Sequence, residues 1–375
     1  MLRVRHYIEL YRTINKTFGF RFRPIGTFAV LQLRLAVSSA TMWLDRIFFP
    51  GYRKTPVDRP VFIVGNPRSG TTFLHRLLLG SGDDLAAFEL WEMLFPAITA
   101  RKVLGPIVPR FDRFSPARYH PSDIHDTNLR GIETDDVLWF FRTMDGPFAW
   151  AYFLAWQDTW GSALCRREMG VEGVTDADWD RFFTYHEECW RRNLAYKHAK
   201  RILAKTSMLT FRLDQVLKRY PDAKLVYIIR DPVEVIPSGM SLASGVLENG
   251  YDVWNRTTEA DQKRWVENLY QASCEMLRSF HEAYTSGRIP EKNLCVVRYT
   301  DLLQNLEPTM KRILDFIEIE PTAAFVEEVR EQGEKQRNYK SRHQHSPEKF
   351  NLDPERIRHD LGFVYDTFEL TEQPG

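Results

Sequence analysis

The chain has 375 residues and a formal net charge of +1. That length suits one large domain or two, and the near-neutral charge argues against broad nucleic-acid binding. Hydrophobic residues make up 43% and charged residues 27%, so the chain can bury an ordinary core. Cys165, Cys189, Cys274 and Cys295 are far apart and form no CxxC pair. Neither a zinc site nor a disulfide framework is expected, and a reducing cytoplasm is the simplest compartment.

Residues 1–57 read as a helical extension ahead of a main domain over 58–375. Leu10, Ile14, Phe18, Phe20 and Phe22 mix with Arg and Lys until Pro24 interrupts. Residues 25–49 are the most apolar part of the chain. No small-residue cleavage site follows a compact apolar run, so this is not a secretory signal. Arg34 sits mid-run, where a charge is costly in a membrane span. The run is expected to be an interfacial or protein-packed helix, set against the main domain, against a partner subunit in a homodimer, or against a membrane surface.

Residues 60–80 read PVFIVGNPRSGTTFLHRLLLG. Val61 to Val64 form a short apolar run, the mark of a buried parallel strand. Gly65 and Gly70 bracket four residues, and Phe73, Leu74, Leu77 and Leu78 then recur at helical spacing. Strand, glycine-bracketed loop and helix together aim backbone N–H groups and a helix N-terminus at an anion. The nucleotide-triphosphate version of this loop is GxxxxGK[ST]. Here Thr71 stands where that lysine belongs, Thr72 is the [ST], and the positive charge has moved back to Arg68. The loop suits a phosphate-like group and departs from the ATP or GTP pattern.

Residues 84–92 are expected to end a second strand and enter a helix. His120, His125, Glu133, Asp135 and Asp136 show no HxxxH or HExxH spacing, so no metal site is expected there. From Trp139 to Trp160 the chain carries a belt of aromatic residues, read first as core and second as an apolar wall for a ligand. Residues 176–198 read as a helix with Asp176 as an early cap. A short strand follows at 201–204, a helix at 208–220, and a strongly buried strand at 224–229 ending in Arg230-Asp231-Pro232. Residues 252–287 read as helical, and 293–299 as a further strand. Alternation of this kind implies a parallel sheet with right-handed crossovers, whose ligands sit at the strands' C-terminal ends. Gly65, Lys205 and Arg230 each lie just past such an end and are expected to converge.

NPRSGTTFLHRLL, residues 66–78, resembles the 5′-phosphosulfate loop of sulfotransferases that use 3′-phosphoadenosine 5′-phosphosulfate (PAPS). The likeness is to the bacterial sulfotransferase-3 type and to the tyrosylprotein sulfotransferases. The stretch from Leu203 to Ser241 resembles the family's second block, and Tyr299-x-Asp301-Leu302 a later feature. The resemblance implies an α/β fold, a P-loop-like parallel sheet flanked by helices. It implies that Arg68, Ser69, Gly70, Thr71 and Thr72 hold the phosphosulfate. Arg230 and Ser238 would grip the 3′-phosphate, Arg with its bidentate fork, and Lys205 would contact the transferred sulfonate. Ser207 stands where the family has proline. Lys340 or Ser341 in the C-terminal tail would lie near a phosphate.

The family's general base is an acidic residue about twenty positions after the loop cation, a window that holds both Glu89 and Glu92. Glu133 and His125 are second choices. The expected activity is transfer of a sulfonate from PAPS to a hydroxyl of a small, apolar or lipid-like acceptor, without a metal. Two other classes compete. A nucleotide kinase or NTPase predicts a loop lysine and Mg·ATP binding; a non-catalytic, membrane-associated nucleotide-binding module predicts no turnover.

Overall fold

Short apolar runs that alternate with helices in the sequence become a five-stranded, all-parallel sheet. The computed structural model describes residues 4–111, 128–337 and 347–370. They fall into two compact units. One is drawn from Asp58–Ala86, Lys200–Ser241 and Ala272–Gly375, the other from Met1–Val57, Ala87–Ala199 and Leu242–Gln271.

The first unit contains the whole sheet: β1 (Val61–Val64), β2 (Leu85–Ala86), β3 (Arg201–Lys205), β4 (Lys224–Ile229) and β5 (Leu294–Arg298). Their order is β2-β3-β1-β4-β5, so β1 lies at the centre. Ile63 pairs with Lys205 on one side and Val64 with Tyr227 on the other. Every residue of β1 and β3 is buried, as a parallel strand covered on both faces requires. Edge strand β5 alternates buried and part-buried residues. Leu74, Leu77 and Leu78 of the helix Thr71–Leu79 close one core with Met310, Ile313 and Ile317 of the helix Leu306–Ile317. Asn293 donates to the carbonyls of Pro221 and Ala223 at 3.0 and 2.7 Å, which ties the start of β5 to the start of β4.

The second unit is helical. The helix Arg23–Phe48 buries Pro24, Leu31, Ser38 and Asp45, one residue every seven, which places them in a single seam. Arg34 is drawn inward and donates to the carbonyls of Leu94 (2.8 Å) and Phe141. Asp45 has no exposure and takes a bond from Arg192 Nε at 2.8 Å. It also accepts from the backbone N–H groups of Ile98 and Thr99 at 2.9 and 2.8 Å, and so caps the helix Ile98–Leu104. Arg192, equally buried, bonds Tyr52 Oη at 2.6 Å and Glu188 Oε2 at 2.7 Å. In the aromatic belt Trp150 and Trp156 are core residues, and Trp156 stacks on Trp265 with ring centroids 4.9 Å apart. Trp139, Phe140, Phe141, Phe148, Tyr152 and Phe153 stay part-exposed.

Three local expectations change. Thr175, not Asp176, caps the helix Asp176–Lys197, because its hydroxyl and the Asp178 carboxylate close a reciprocal capping box. The expected helix over 208–220 opens as a 3₁₀ turn, Met208–Arg212, and becomes α-helical only at Leu213–Arg219, since Arg212 leaves helical backbone with φ −144°. The helix over 252–287 is interrupted at Thr257 and Thr258, where the Thr258 hydroxyl accepts from Asp261 N at 3.2 Å and starts the long helix Glu259–Thr285. All four cysteines are buried, and none is in a disulfide.

Asp45 and Arg192 pair away from water, so removing Asp45 leaves the buried guanidinium with Glu188 as its counter-charge and takes the shared acceptor from Ile98 N and Thr99 N. Asp45→Ala is expected to lower the unfolding free energy by about 3–5 kcal/mol. Urea unfolding monitored by tryptophan fluorescence checks this, and a loss smaller than about 1 kcal/mol would mean the pair does not hold the helical unit.

Candidate active site

In the sheet unit, the loop between β1 and the helix Thr71–Leu79 is shaped by two glycines. At Gly65 φ is +137°, and a Cβ would stand 2.6 Å from the Ile228 carbonyl oxygen of β4. At Gly70 φ is +96°, and a Cβ would stand 2.8 Å from the Tyr299 ring. Neither position admits a side chain without displacing its neighbour. Arg68 also adopts a left-handed backbone, φ +75°, unusual for a non-glycine residue. Ser69 N closes the turn on Asn66 O at 3.1 Å. The helix that follows has Gly70 at its N-cap and no side-chain cap, so the capping position leaves the first N–H groups to other acceptors.

Cationic groups meet around this loop. Arg230, just past β4, donates from Nη1 to the Arg68 carbonyl at 2.8 Å and lies 4.3 Å over the Tyr299 ring. Its Nε and Nη2 hold Glu234 Oε2 at 2.9 and 2.8 Å. Arg68 Nε donates to Ser238 Oγ at 3.1 Å. Lys205, the last residue of β3, donates to Thr72 Oγ1 at 2.9 Å and is almost fully buried. Gly65, Lys205 and Arg230 thus end three adjacent strands on one side of the sheet, as their places in the sequence predict.

The expected residues differ in how they are held. Ser238 faces Arg68, whereas the resemblance pairs it with Arg230. Thr71 and Ser69 are buried, and the Ser69 hydroxyl, 1% exposed, has no hydrogen-bond partner among the described residues. The same holds for Asn66 Oδ1, while Asn66 Nδ2 reaches Ser273 O at 3.3 Å. A buried hydroxyl without a partner beside an arginine and a glycine loop suits a polar ligand there. Asp231 is occupied structurally, accepting from Tyr365 Oη at 2.6 Å and Val233 N at 2.9 Å. Lys340, Ser341 and His125 lie outside the described residues.

Tyr299 and Glu234 are the site residues that the motifs undervalued. Tyr299 floors Arg230 and packs against Gly70; its sequence signal is the Tyr299-x-Asp301-Leu302 pattern, which carries no site role by itself. Glu234 is legible as the i+4 partner of Arg230 on the helix Pro232–Tyr251.

In the helical unit, Glu89 and Glu92 open the short helix Leu90–Leu94 and form a capping box. Glu89 is half-buried, and burial pushes its carboxyl above the ordinary value. The Trp91 N–H counters that, Glu92 adds to it, and Lys197 opposes it. Trp91 Nε1 donates to Glu89 Oε2 at 2.6 Å. Glu92 is only 3% exposed. Its Oε2 takes Lys197 Nζ and Glu89 N, both at 2.8 Å, and its Oε1 lies 3.7 Å from the buried Arg101. Residues 129–132 run beside this pair, with Trp91 N on Leu129 O and Leu90 N on Gly131 O, each 2.9 Å. Glu133, next in the chain, is buried.

The family described as the sulfotransferase family matches residues 60–323. The omega-hydroxy-beta-dihydromenaquinone-9 sulfotransferase Stf3, from both Mycobacterium bovis and Mycobacterium tuberculosis, is 26% identical over 226 residues. That match takes in 57% of this chain and 54% of each relative, so the chain spans about half the length of the curated relatives it matches. Among solved structures, sulfotransferase STF1 from Mycobacterium tuberculosis H37Rv superposes with TM-score 0.67 at 17% identity, over 96% of this chain and 92% of that one. Sulfotransferase STF9 from Mycobacterium avium gives TM-score 0.67 at 15% identity, over 89% and 83%. At these identities the structures speak for the fold: the P-loop-like parallel sheet with helices and an N-terminal helix.

Gly65→Ala should destabilise the chain by about 1–3 kcal/mol through backbone strain and the approach to Ile228. Gly51→Ala is the control, since its backbone is not left-handed and its surroundings are open within 4 Å. Melting temperatures check this; equal values for the two variants would show that β1 and β4 can separate at the loop.

Proposed function

The chain belongs to the sulfotransferase family, and we propose that it moves a sulfonate group from PAPS to a hydroxyl of a small, apolar or lipid-like acceptor. The observation that carries this is the meeting of Arg68, Lys205 and Arg230 around a glycine loop at the ends of β1, β3 and β4. When bound, the donor supplies an activated sulfonate that an acceptor oxygen can displace in line.

The loop N–H groups, Arg68, Ser69, Gly70, Thr71 and Thr72 hold the phosphosulfate end. The Ser69 hydroxyl, buried without a partner, is a donor that such an anion would complete. Lys205, steadied by Thr72, counters negative charge that builds on the bridge oxygen. Removing one such donor typically lowers kcat by about 10²–10³. Arg230 and Ser238 read the 3′-phosphate, with Lys340 carried over from the family's tail. Arg230 reaches that anion by exchanging it for Glu234, which is part-exposed.

We assign the general base to Glu89. It is half-buried with a raised pKa, so it holds a proton more firmly than an ordinary carboxylate and is a stronger base when ionised. Glu92 is committed on both oxygens to Glu89 N, Lys197 and Arg101, which suits a positioning residue. Glu133 is the remaining alternative. The acceptor class follows from two supports: the aromatic belt, and relatives named for a dihydromenaquinone acceptor. We place the chain in the cytoplasm with contact to a membrane surface through residues 25–49. A nucleotide kinase is the second reading; Thr71 in place of the loop lysine weighs against it.

Thermal shift separates the two readings. We expect 3′,5′-ADP to raise the melting temperature and Mg·ATP to have little effect; a preference for Mg·ATP overturns the sulfotransferase assignment. For the base, Glu89→Gln should lower kcat by about 10²–10⁴ while leaving 3′,5′-ADP affinity unchanged. The base works only when deprotonated, so kcat/KM of the native enzyme should rise with pH through a carboxyl titrating above the ordinary 4.5. Glu89→Gln should remove that rise; a profile unchanged in the variant points to Glu133.

A further inference from the structure

Arg23–Phe48 presents two different sides. One is the seam of Pro24, Leu31, Ser38 and Asp45, buried along the whole helix. On the opposite side Ile25, Val30, Leu33, Val37, Trp43 and Ile47 are 42–69% exposed. At 100° per residue these six fall on one broad face. No charged residue is exposed between Arg23 and Arg46. Phe22 and Phe48, 80% and 65% exposed, stand at the two ends. A continuous apolar face of this length is far more than the scattered apolar residues of an ordinary surface.

Charge surrounds this face asymmetrically. Residues 1–57 hold ten Lys and Arg against two acids, Glu9 and Asp45, a balance of +8, while the other 318 residues balance at −7. Of the two acids, Asp45 is buried against Arg192. Arg21 and Arg23 at one end of the helix, and Arg46, Arg53 and Lys54 at the other, are exposed. Apolar face and flanking cations together match the chemistry of an anionic bilayer surface.

We propose that this helix seats the chain on an anionic lipid surface, lying in the interface plane with Ile25, Leu33 and Trp43 inserted. This deepens the membrane contact proposed above and does not depend on the sulfonate chemistry. Crossing the bilayer is ruled out by the other side of the same helix. Arg34 donates to two backbone carbonyls, and Asp45 caps another helix, so that side is committed to protein along its length. A second copy of the chain fits less well. Whether two such helices packed parallel or antiparallel, cationic ends would meet cationic ends, with no exposed acid among the described residues of 21–54 to pair with them.

The test is co-sedimentation of the full chain with phosphatidylcholine vesicles and with vesicles that also contain phosphatidylglycerol. We expect binding to the anionic vesicles, at least about tenfold weaker on neutral ones and weakened by salt. Leu33→Glu with Val37→Glu should cut partitioning at least about tenfold and leave 3′,5′-ADP affinity unchanged, because both residues lie outside the sheet unit. Absence of vesicle binding, or binding undiminished in the double variant, overturns the proposal. So does a native dimer by sedimentation velocity that the double variant dissociates. If vesicles bind but no acceptor is sulfated, the enzymatic assignment fails and this one stands.

Discussion

The glycine-loop end of the sheet depends on how closely β1 approaches β4. At Gly65 the backbone lies so near the Ile228 carbonyl that no side chain fits. Past that approach the chain turns, with Ser69 N bonded to Asn66 O and Gly65, Arg68 and Gly70 at positive φ. Arg68 then takes its left-handed backbone with its carbonyl toward Arg230 and its guanidinium toward Ser238. A loop cation and a strand-end cation separated by 162 residues are brought into one hydrogen-bonded group by this single close contact. The parallel order with β1 at the centre supplies the rest, since β3 and β4 end on either side of it with Lys205 and Arg230.

Much of this was legible in the sequence, because strong signals coincide there. VFIV and KLVYII are apolar runs ended by glycine or by Arg-Asp-Pro, and they appear as strands at the expected residues. The convergence of three strand ends follows from alternation and handedness alone. Less was legible where one residue has two possible partners. Ser238 is aligned with Arg230 in the family pattern but bonds Arg68, and Arg230 turns its fork to Glu234. Spacing places a hydroxyl on the right turn of a helix without saying which cation reaches it first. The caps show the same limit: Thr175 and Asp176 are both good candidates, and only the reciprocal bond to Asp178 decides.

Glu89 and Glu92 both fall in the window for the base, and spacing alone does not settle between them. Their surroundings separate them. Glu92 points into a buried group made by Lys197 and Arg101, residues more than a hundred positions later and nine positions later, and no local pattern announces that group. Glu89 keeps a half-buried carboxylate held by the Trp91 indole N–H and by the capping-box bond from the Glu92 backbone. In the proposed mechanism, one member of the pair is a fixed strut and the other is free to exchange a proton. The distinction rests on desolvation and partner count, and neither quantity is written in a spacing.

Arg230 has a consequence beyond its own contacts. Its guanidinium already holds a carboxylate, a carbonyl and an aromatic face, so its plane is set before any ligand arrives. In the proposed reading an incoming anion displaces Glu234 from the guanidinium, which an internal carboxylate, not salt ions, neutralised beforehand. Ion exchange of this kind blunts the response to ionic strength: affinity at this end of the site should decline with added salt more gently than a tally of its basic residues implies.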